Sequence, residues 1–323
     1  MELFKYSRSY DFMAKSKTFI AFSLVLMAIS AFLLFSKGLN YGIDFAGGTV
    51  IQVKYESAAP ISDMRKKLKE EKLFAGASIT RFGSDEEVII RIKTSTQELG
   101  SDIGDIARGV LSGTGNFEIR RVDIVGPKVG SELREKGIMA MLLAVLGILI
   151  YVTFRFEWRF ALASVFALVH DVTIALGALS LFVIDINLDI LAALLTLLGY
   201  SLNDTIIVFD RIREGLRTIK SNELKDVINE SVTRTLSRTT LTSLTTFFVV
   251  LTLFIFGGEI IHGFSFTLMV GVIVGTYSSI FVASPILLYS GFSVTGFRAK
   301  EAQKKKLEKE KNDMRAMYEQ GTM

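Results

Sequence analysis

Six stretches of roughly twenty residues carry almost no charge, and the charged residues crowd between them. An α-helix needs about 20 apolar residues to cross the hydrocarbon core of a bilayer. In lipid its backbone must also satisfy its own hydrogen bonds. The chain is therefore expected to be an α-helical integral membrane protein with six transmembrane helices. The apolar stretches run approximately over 18–36, 138–154, 160–182, 189–209, 238–256 and 264–289. Composition decides less, because soluble domains are also about half apolar. Only three prolines occur in 323 residues, which suits long unbroken helices. The first stretch follows Lys15 and Lys17 as an export signal would, yet it is longer than a signal core. No small-residue cleavage pattern follows it, so it reads as an uncleaved anchor.

Charge placement predicts orientation, since Lys and Arg accumulate in short cytoplasmic loops. The arm 1–17 carries Lys5, Arg8, Lys15 and Lys17, and Arg155 and Arg159 flank the next turn on that side. The loop 210–237 holds Arg211, Arg213, Arg217, Lys220, Lys225 and Arg234. The opposing loops 183–188 and 257–263 have neither Lys nor Arg. Both termini are thus expected in the cytoplasm, and residues 37–137 outside it. The tail 290–323 is basic, with Lys304, Lys305 and Lys306 adjacent. Its cations alternate with Glu301, Glu308, Glu310 and Asp313, the pattern of a solvated helix more than of a nucleic-acid or lipid-binding patch, with contact to ribosome or anionic lipid the open alternative.

The outer segment has strand and helix signals of its own. Residues 49–55 alternate apolar and polar, 62–71 favour helix, and 78–82 and 88–93 read as strands around a turn at 83–86. Leu99, Ile103, Ile106, Val110 and Leu111 follow at helical spacing from Gln97, and 117–125 is a last strand. The order β-α-β-β-α-β predicts an extracytoplasmic α+β ferredoxin-like domain, a fold that implies no function by itself. Gly47 and Gly48 at its base suit a turn with positive φ and are hinge candidates. No cysteine exists, which excludes a disulfide framework and a thiolate nucleophile. Neither phosphate loop nor metal-ligand spacing occurs, so no cofactor, metal or enzymatic activity is expected.

Ionisable residues inside a bilayer cost at least a few kcal/mol and usually face a bundle interior or a water path. Four qualify: His170 and Asp171 in the third span, Asp204 in the fourth and Arg238 at the start of the fifth. Asp204 lies 16 residues after Leu188, about 24 Å along a helix, which puts it in the inner half. Arg238 starts the return crossing and can reach a similar depth. Thr196, Tyr200 and Asp204 recur every four residues, as Arg238 and Thr242 do with Thr245 nearby and Ser243 and Thr246 beside them, and predict a polar seam that includes Asn203. Three readings of Asp204 and Arg238 stand open: a structural ion pair, an arginine snorkelling alone to the interface, and a proton-exchanging carboxyl tuned by the cation. His170 and Asp171 are adjacent and point about 100° apart on a helix, so at most one is expected to face a given seam. Gly271 and Gly275 form a G-x-x-x-G face for close packing.

Several segments resemble a known family. Leu39-Asn-Tyr-Gly-Ile-Asp-Phe-Ala-Gly-Gly-Thr49 is similar to the signature of the SecD/SecF export proteins. Gly199-Tyr-Ser-Leu-Asn-Asp-Thr205 with Phe209-Asp-Arg-Ile-Arg-Glu214 resembles the fourth span of the family's SecF branch, and Leu236-Ser-Arg-Thr239 the entry to its fifth. Gly263-Phe-Ser265, Ser278-Ser279, Val125-Gly-Pro-Lys-Val-Gly130 and Arg155-Phe-Glu-Trp-Arg159 also fit. The resemblance implies a multi-pass subunit of the bacterial inner membrane that pairs with SecD and associates with the SecYEG channel. It implies use of the proton-motive force to promote preprotein translocation, and a fold related to resistance-nodulation-division transporters. The family's functional pair, an Asp in the fourth span and an Arg in the fifth, maps onto Asp204 and Arg238. A passive scaffold and half of a small-molecule efflux pump are the competing readings.

Overall fold

The computed structural model describes residues 10–92 and 103–319. The cations Lys5 and Arg8 and the predicted helix start at Gln97 and Leu99 lie outside the described residues. A 3₁₀ turn, Phe12–Lys15, leads into α1 (Ser16–Ser36), and Asp11 caps that turn by accepting the Ala14 N–H. The sheet domain follows in the order α2 (Ile43–Ala46), β1 (Gly48–Tyr55), α3 (Ile61–Glu70), β2 (Ser78–Phe82), β3 (Ser84–Ile92), α4 (Ile103–Leu111) and β4 (Phe117–Val125). Then come α5 (Pro127–Arg155), α6 (Trp158–Leu181), α7 (Leu188–Thr218) and α8 (Leu224–Phe256). The last crossing is α9 (Gly258–Ser278), a π-helical turn over Ser279–Ala283, and α10 (Ser284–Tyr289). The charged tail is α11 (Val294–Glu319). Six of these segments are long and apolar enough to span a membrane.

The sheet is antiparallel throughout in the order β2-β3-β1-β4, two interleaved β-α-β units as the strand and helix signals predict. Ile51, Val53 and Tyr55 of β1 turn inward between outward Gln52 and Lys54. Against that face pack Met64 and Leu68 from α3 and Ile103, Ala107 and Leu111 from α4. The hairpin is tighter than its sequence signals: Gly83, at φ 73°, turns the chain and β3 begins at Ser84.

Helices outrun the apolar stretches. α5 begins at Pro127, ahead of the expected 138, because proline pre-sets the first helical φ and gives up only an N–H that would be unpaired there. α7 and α8 likewise run through most of the expected loop 210–237 and leave only 219–223 between them. Hydropathy measures the thickness of hydrocarbon, and a helix continues into water wherever its residues allow.

Packing sorts the spans into an inner and an outer set. About half of the apolar windows of α6, α7 and the last crossing is buried within the chain, against 11% for α1 and α5. Polar side chains on the buried faces of the inner set, Asp171, Ser201 and Asp204 among them, therefore meet protein and not lipid. Gly271 and Gly275 pack onto α7 as expected: a Cβ on Gly271 would stand 2.4 Å from Leu197, and one on Gly275 would stand 3.1 Å from Ser201.

The sheet domain is fastened at its base. Gly47 and Gly48 have φ 74° and 130°. A Cβ on Gly47 would fall 2.8 Å from Pro127 Cα, and one on Gly48 would fall 2.5 Å from the Ile92 carbonyl oxygen. The pair is thus a crossing point of three backbones as well as a turn. Nearby, Gly42 N–H donates to the Ile186 carbonyl at 2.8 Å and Ile186 N–H to the Asn40 carbonyl at 2.7 Å. Asp185, between α6 and α7, pairs with Arg91 of β3 and accepts from the Asn40 amide.

Candidate functional site

Two carboxylates are buried in the bundle, and they are held very differently. Asp171 on α6 is fully enclosed. Its Oδ2 accepts from Ser201 Oγ on α7 at 2.5 Å and from Ser278 Oγ on α9 at 2.7 Å. Its Oδ1 lies 2.8 Å from His170 Nδ1. The expectation that His170 and Asp171 could not share a seam is corrected. α6 is packed against α1, α7 and α9, so side chains 100° apart are both inside and meet. The His170 ring stacks on Tyr277, whose hydroxyl donates to the Phe19 carbonyl of α1 at 2.9 Å. His170 Nε2 is buried without a partner.

Asp204 on α7 is 1% exposed and more loosely served. Its Oδ2 accepts from Ser243 Oγ on α8 at 3.1 Å and stands 3.5 Å from Thr276 Oγ1 on α9. Those two hydroxyls are bonded to each other at 2.8 Å. The Asp204 Oδ1 is buried with no hydrogen-bond partner. A buried acceptor left without a donor costs about 1–3 kcal/mol. The carboxyl therefore has one oxygen open to a proton, a water or a cation brought to it.

The structure does not bring Arg238 to Asp204. Arg238 is exposed on α8 and forms no ion pair with it. It stands five residues from Ser243, about 7.5 Å along the axis and about 140° around it. The expected seam is also rearranged. Thr196, Asn203 and Thr242 are exposed, and the Thr242 hydroxyl donates within α8 to the carbonyls of Arg238 and Thr239. The Tyr200 hydroxyl is buried without a partner. The reason is geometric: each step of four residues turns about 40° past a full circle, so a stripe that starts outside at Thr196 is inside by Asp204. Sequence reasoning passed over Ser201 and Thr276. The run Thr276-Tyr-Ser-Ser279 in an apolar span was the available signal. The π-helical turn begins directly after Ser278, a kind of bulge that recurs at functional sites.

Comparison with known proteins assigns the family. The family model for the C-terminal part of SecD/SecF protein export membrane proteins matches residues 107–293, and that for the SecD/SecF GG motif matches 32–59. A Helicobacter pylori protein named protein translocase subunit SecF is 49% identical over 321 residues, 99% of either chain. The chain belongs to the SecD/SecF family. A SecF of Calditerrivibrio nitroreducens is 50% identical over 89% of this chain and 96% of its own. Among solved structures, SecDF from Thermus thermophilus superposes with a TM-score of 0.80 at 35% identity over 88% of this chain. This chain spans 39% of that SecDF chain. Membership makes it a membrane subunit of a Sec protein translocase, multi-pass in the inner membrane. The GG-motif match spans Gly47 and Gly48, the tight crossing at the base of the sheet domain.

Proposed function

We propose that this SecD/SecF-family subunit works with a SecD partner at the SecYEG channel, and that proton flow through Asp204 promotes preprotein release. The observation that carries this reading is the buried Asp204 with one carboxyl oxygen unpartnered. Asp204 is tied to α8 and α9 through Ser243 and Thr276, so a change in its charge changes how three helices are held together. A screw of α8 would bring Arg238 round in place of Ser243. Loading then discharging the carboxyl as that cation leaves and returns moves protons across a potential worth about 2.3 kcal/mol per charge per 100 mV. The exposed polar face of α7 and α8, with Asn203, Arg238 and Thr242, is the side offered to the partner. The sheet domain faces outward and both termini face the cytoplasm, in line with the loops beside it that carry neither Lys nor Arg. No covalent chemistry is involved.

The test is preprotein export in vesicles that carry a proton gradient. Asp204→Asn keeps the Ser243 contact and is expected to abolish the gradient-dependent part of release while ATP-driven translocation continues. Arg238→Gln is expected to do the same. Gradient-stimulated release at the parent rate in both variants would leave a scaffold role only.

A further inference from the structure

At the end of the bundle away from the sheet domain, a cleft of ≈580 Å³ opens between the α5–α6 turn, the last turns of α7 and the start of α11. Its floor is aromatic, formed by Phe156, Phe160 and Phe297. Its rim is cationic: Arg155, Arg213, Arg217, Lys300 and Lys304, against the two carboxylates Glu157 and Glu301. Glu301 is taken by Arg217 at 2.6 Å. Arg155 has Asp210 at 3.6 Å, and the neighbouring Glu214 is held by Arg211 at 2.7 Å. Lys300 and Lys304 have no carboxylate partner among the described residues. The guanidiniums of Arg155 and Arg213 flank one ring, 5.6 and 5.7 Å from the centroid of Phe156. Like charges gathered this way repel unless an anion sits between them.

The cleft is built, not an accident of a loose tail. Arg298 rivets α11 to the end of α7, donating to the Leu216 carbonyl at 2.8 Å, to Asn222 Oδ1 at 2.8 Å and to the Ser221 carbonyl at 3.0 Å. Its level in the membrane is set by Phe154 and Trp158, 87% and 58% exposed beside it. An exposed tryptophan such as Trp158 sits at the headgroup layer. Up the same side of α5 from Phe154 stand Ile150, Leu146 and Leu143, all exposed, with nothing packed over Gly147. Cations at headgroup depth thus open onto an apolar track long enough for an acyl chain.

We propose that this cleft binds the phosphodiester of an anionic glycerophospholipid, with the glycerol against the phenylalanines and an acyl chain along α5. The inference needs only the membrane placement of the chain and not proton transport by Asp204. Basic pockets between membrane helices take such headgroups.

Native mass spectrometry of the full chain, released from nanodiscs of equal phosphatidylglycerol and phosphatidylcholine, tests it. The parent is expected to retain phosphatidylglycerol over phosphatidylcholine. Lys300→Gln with Lys304→Gln should lower that retention at least about fivefold, the loss expected from removing one such cation. Lys309→Gln with Lys311→Gln removes the same charge from the same helix beyond the cleft and should retain lipid like the parent. All four lysines are exposed, so both doubles keep the fold. Equal retention of the two lipids by the parent, or equal loss in both doubles, overturns the site. So does displacement of the lipid by millimolar inorganic phosphate, which would make the cleft a site for the free ion.

Discussion

Asp171 and Asp204 differ in how many donors reach them, and under the proposed function that difference separates a fastener from a working group. Asp171 has partners on α7 and α9 and its neighbour His170. Asp171→Ala leaves the Ser201 hydroxyl and His170 Nδ1 buried and unpaired, while Ser278 keeps the Gly275 carbonyl, at a cost on the order of 3 kcal/mol. Asp204→Asn still offers an oxygen to Ser243 and should melt close to the parent, as should Thr242→Ala, whose hydroxyl bonds only its own helix. Thermal unfolding in one detergent compares the three. If Asp204→Asn is the least stable of them, the roles of the two carboxylates are exchanged. Both acids were legible in the sequence because a charge in an apolar run stands out. So were His170 beside Asp171 and Ser243 beside the expected seam, whereas Ser201 and Thr276 were not, since hydroxyls in helices usually satisfy themselves. Thr245 and Thr252 each donate to the carbonyl four residues back, so a Ser or Thr in the sequence does not say which face it serves.

The same limit holds for whole elements. Apolar length gave the number and place of the spans, and the alternation Ile51, Val53, Tyr55 gave the sheet. Helix ends at Pro127, Thr218 and Leu224 were hidden, because a helix emerging into water loses its hydropathy signal but not its hydrogen bonds. Contacts between elements were visible only where two small residues fall four apart, as at Gly271 and Gly275. The tight crossing at Gly177 gave no such sign. A Cβ there would stand 2.4 Å from the Ser30 side chain of α1. Gly177→Leu overfills that crossing and should cost about 1–3 kcal/mol. Gly147→Leu, on the open face of α5 with nothing within 4 Å, should be neutral. Equal melting temperatures for the two variants would mean that α1 is free to move off α6.

At the scale of the molecule, the loop between α6 and α7 joins the helices of both carboxylates to the sheet domain. A shift of α7 reaches the sheet through Asp185, its pairing with Arg91 and the backbone bonds between Asn40, Gly42 and Ile186. Burial pushes the Asp185 carboxyl above its ordinary value of 3.8, more than Arg91 and Asn40 pull it down. An acid raised on docking holds its proton more tightly docked than free. Docking is therefore fully favoured below that ordinary value and loses strength as pH rises through the raised one. Hydrogen exchange at the Gly42 and Ile186 amides, corrected for its intrinsic rate, should quicken across that window and stay level in Asp185→Asn. If the joint carries force, Arg91→Asp alone sets two acids face to face and should uncouple gradient-stimulated export while Asp204 is intact. Arg91→Asp combined with Asp185→Arg restores an ion pair of opposite sense and should recover export. An uncoupled double variant, or a fully active Arg91→Asp, would show that the sheet moves without this joint.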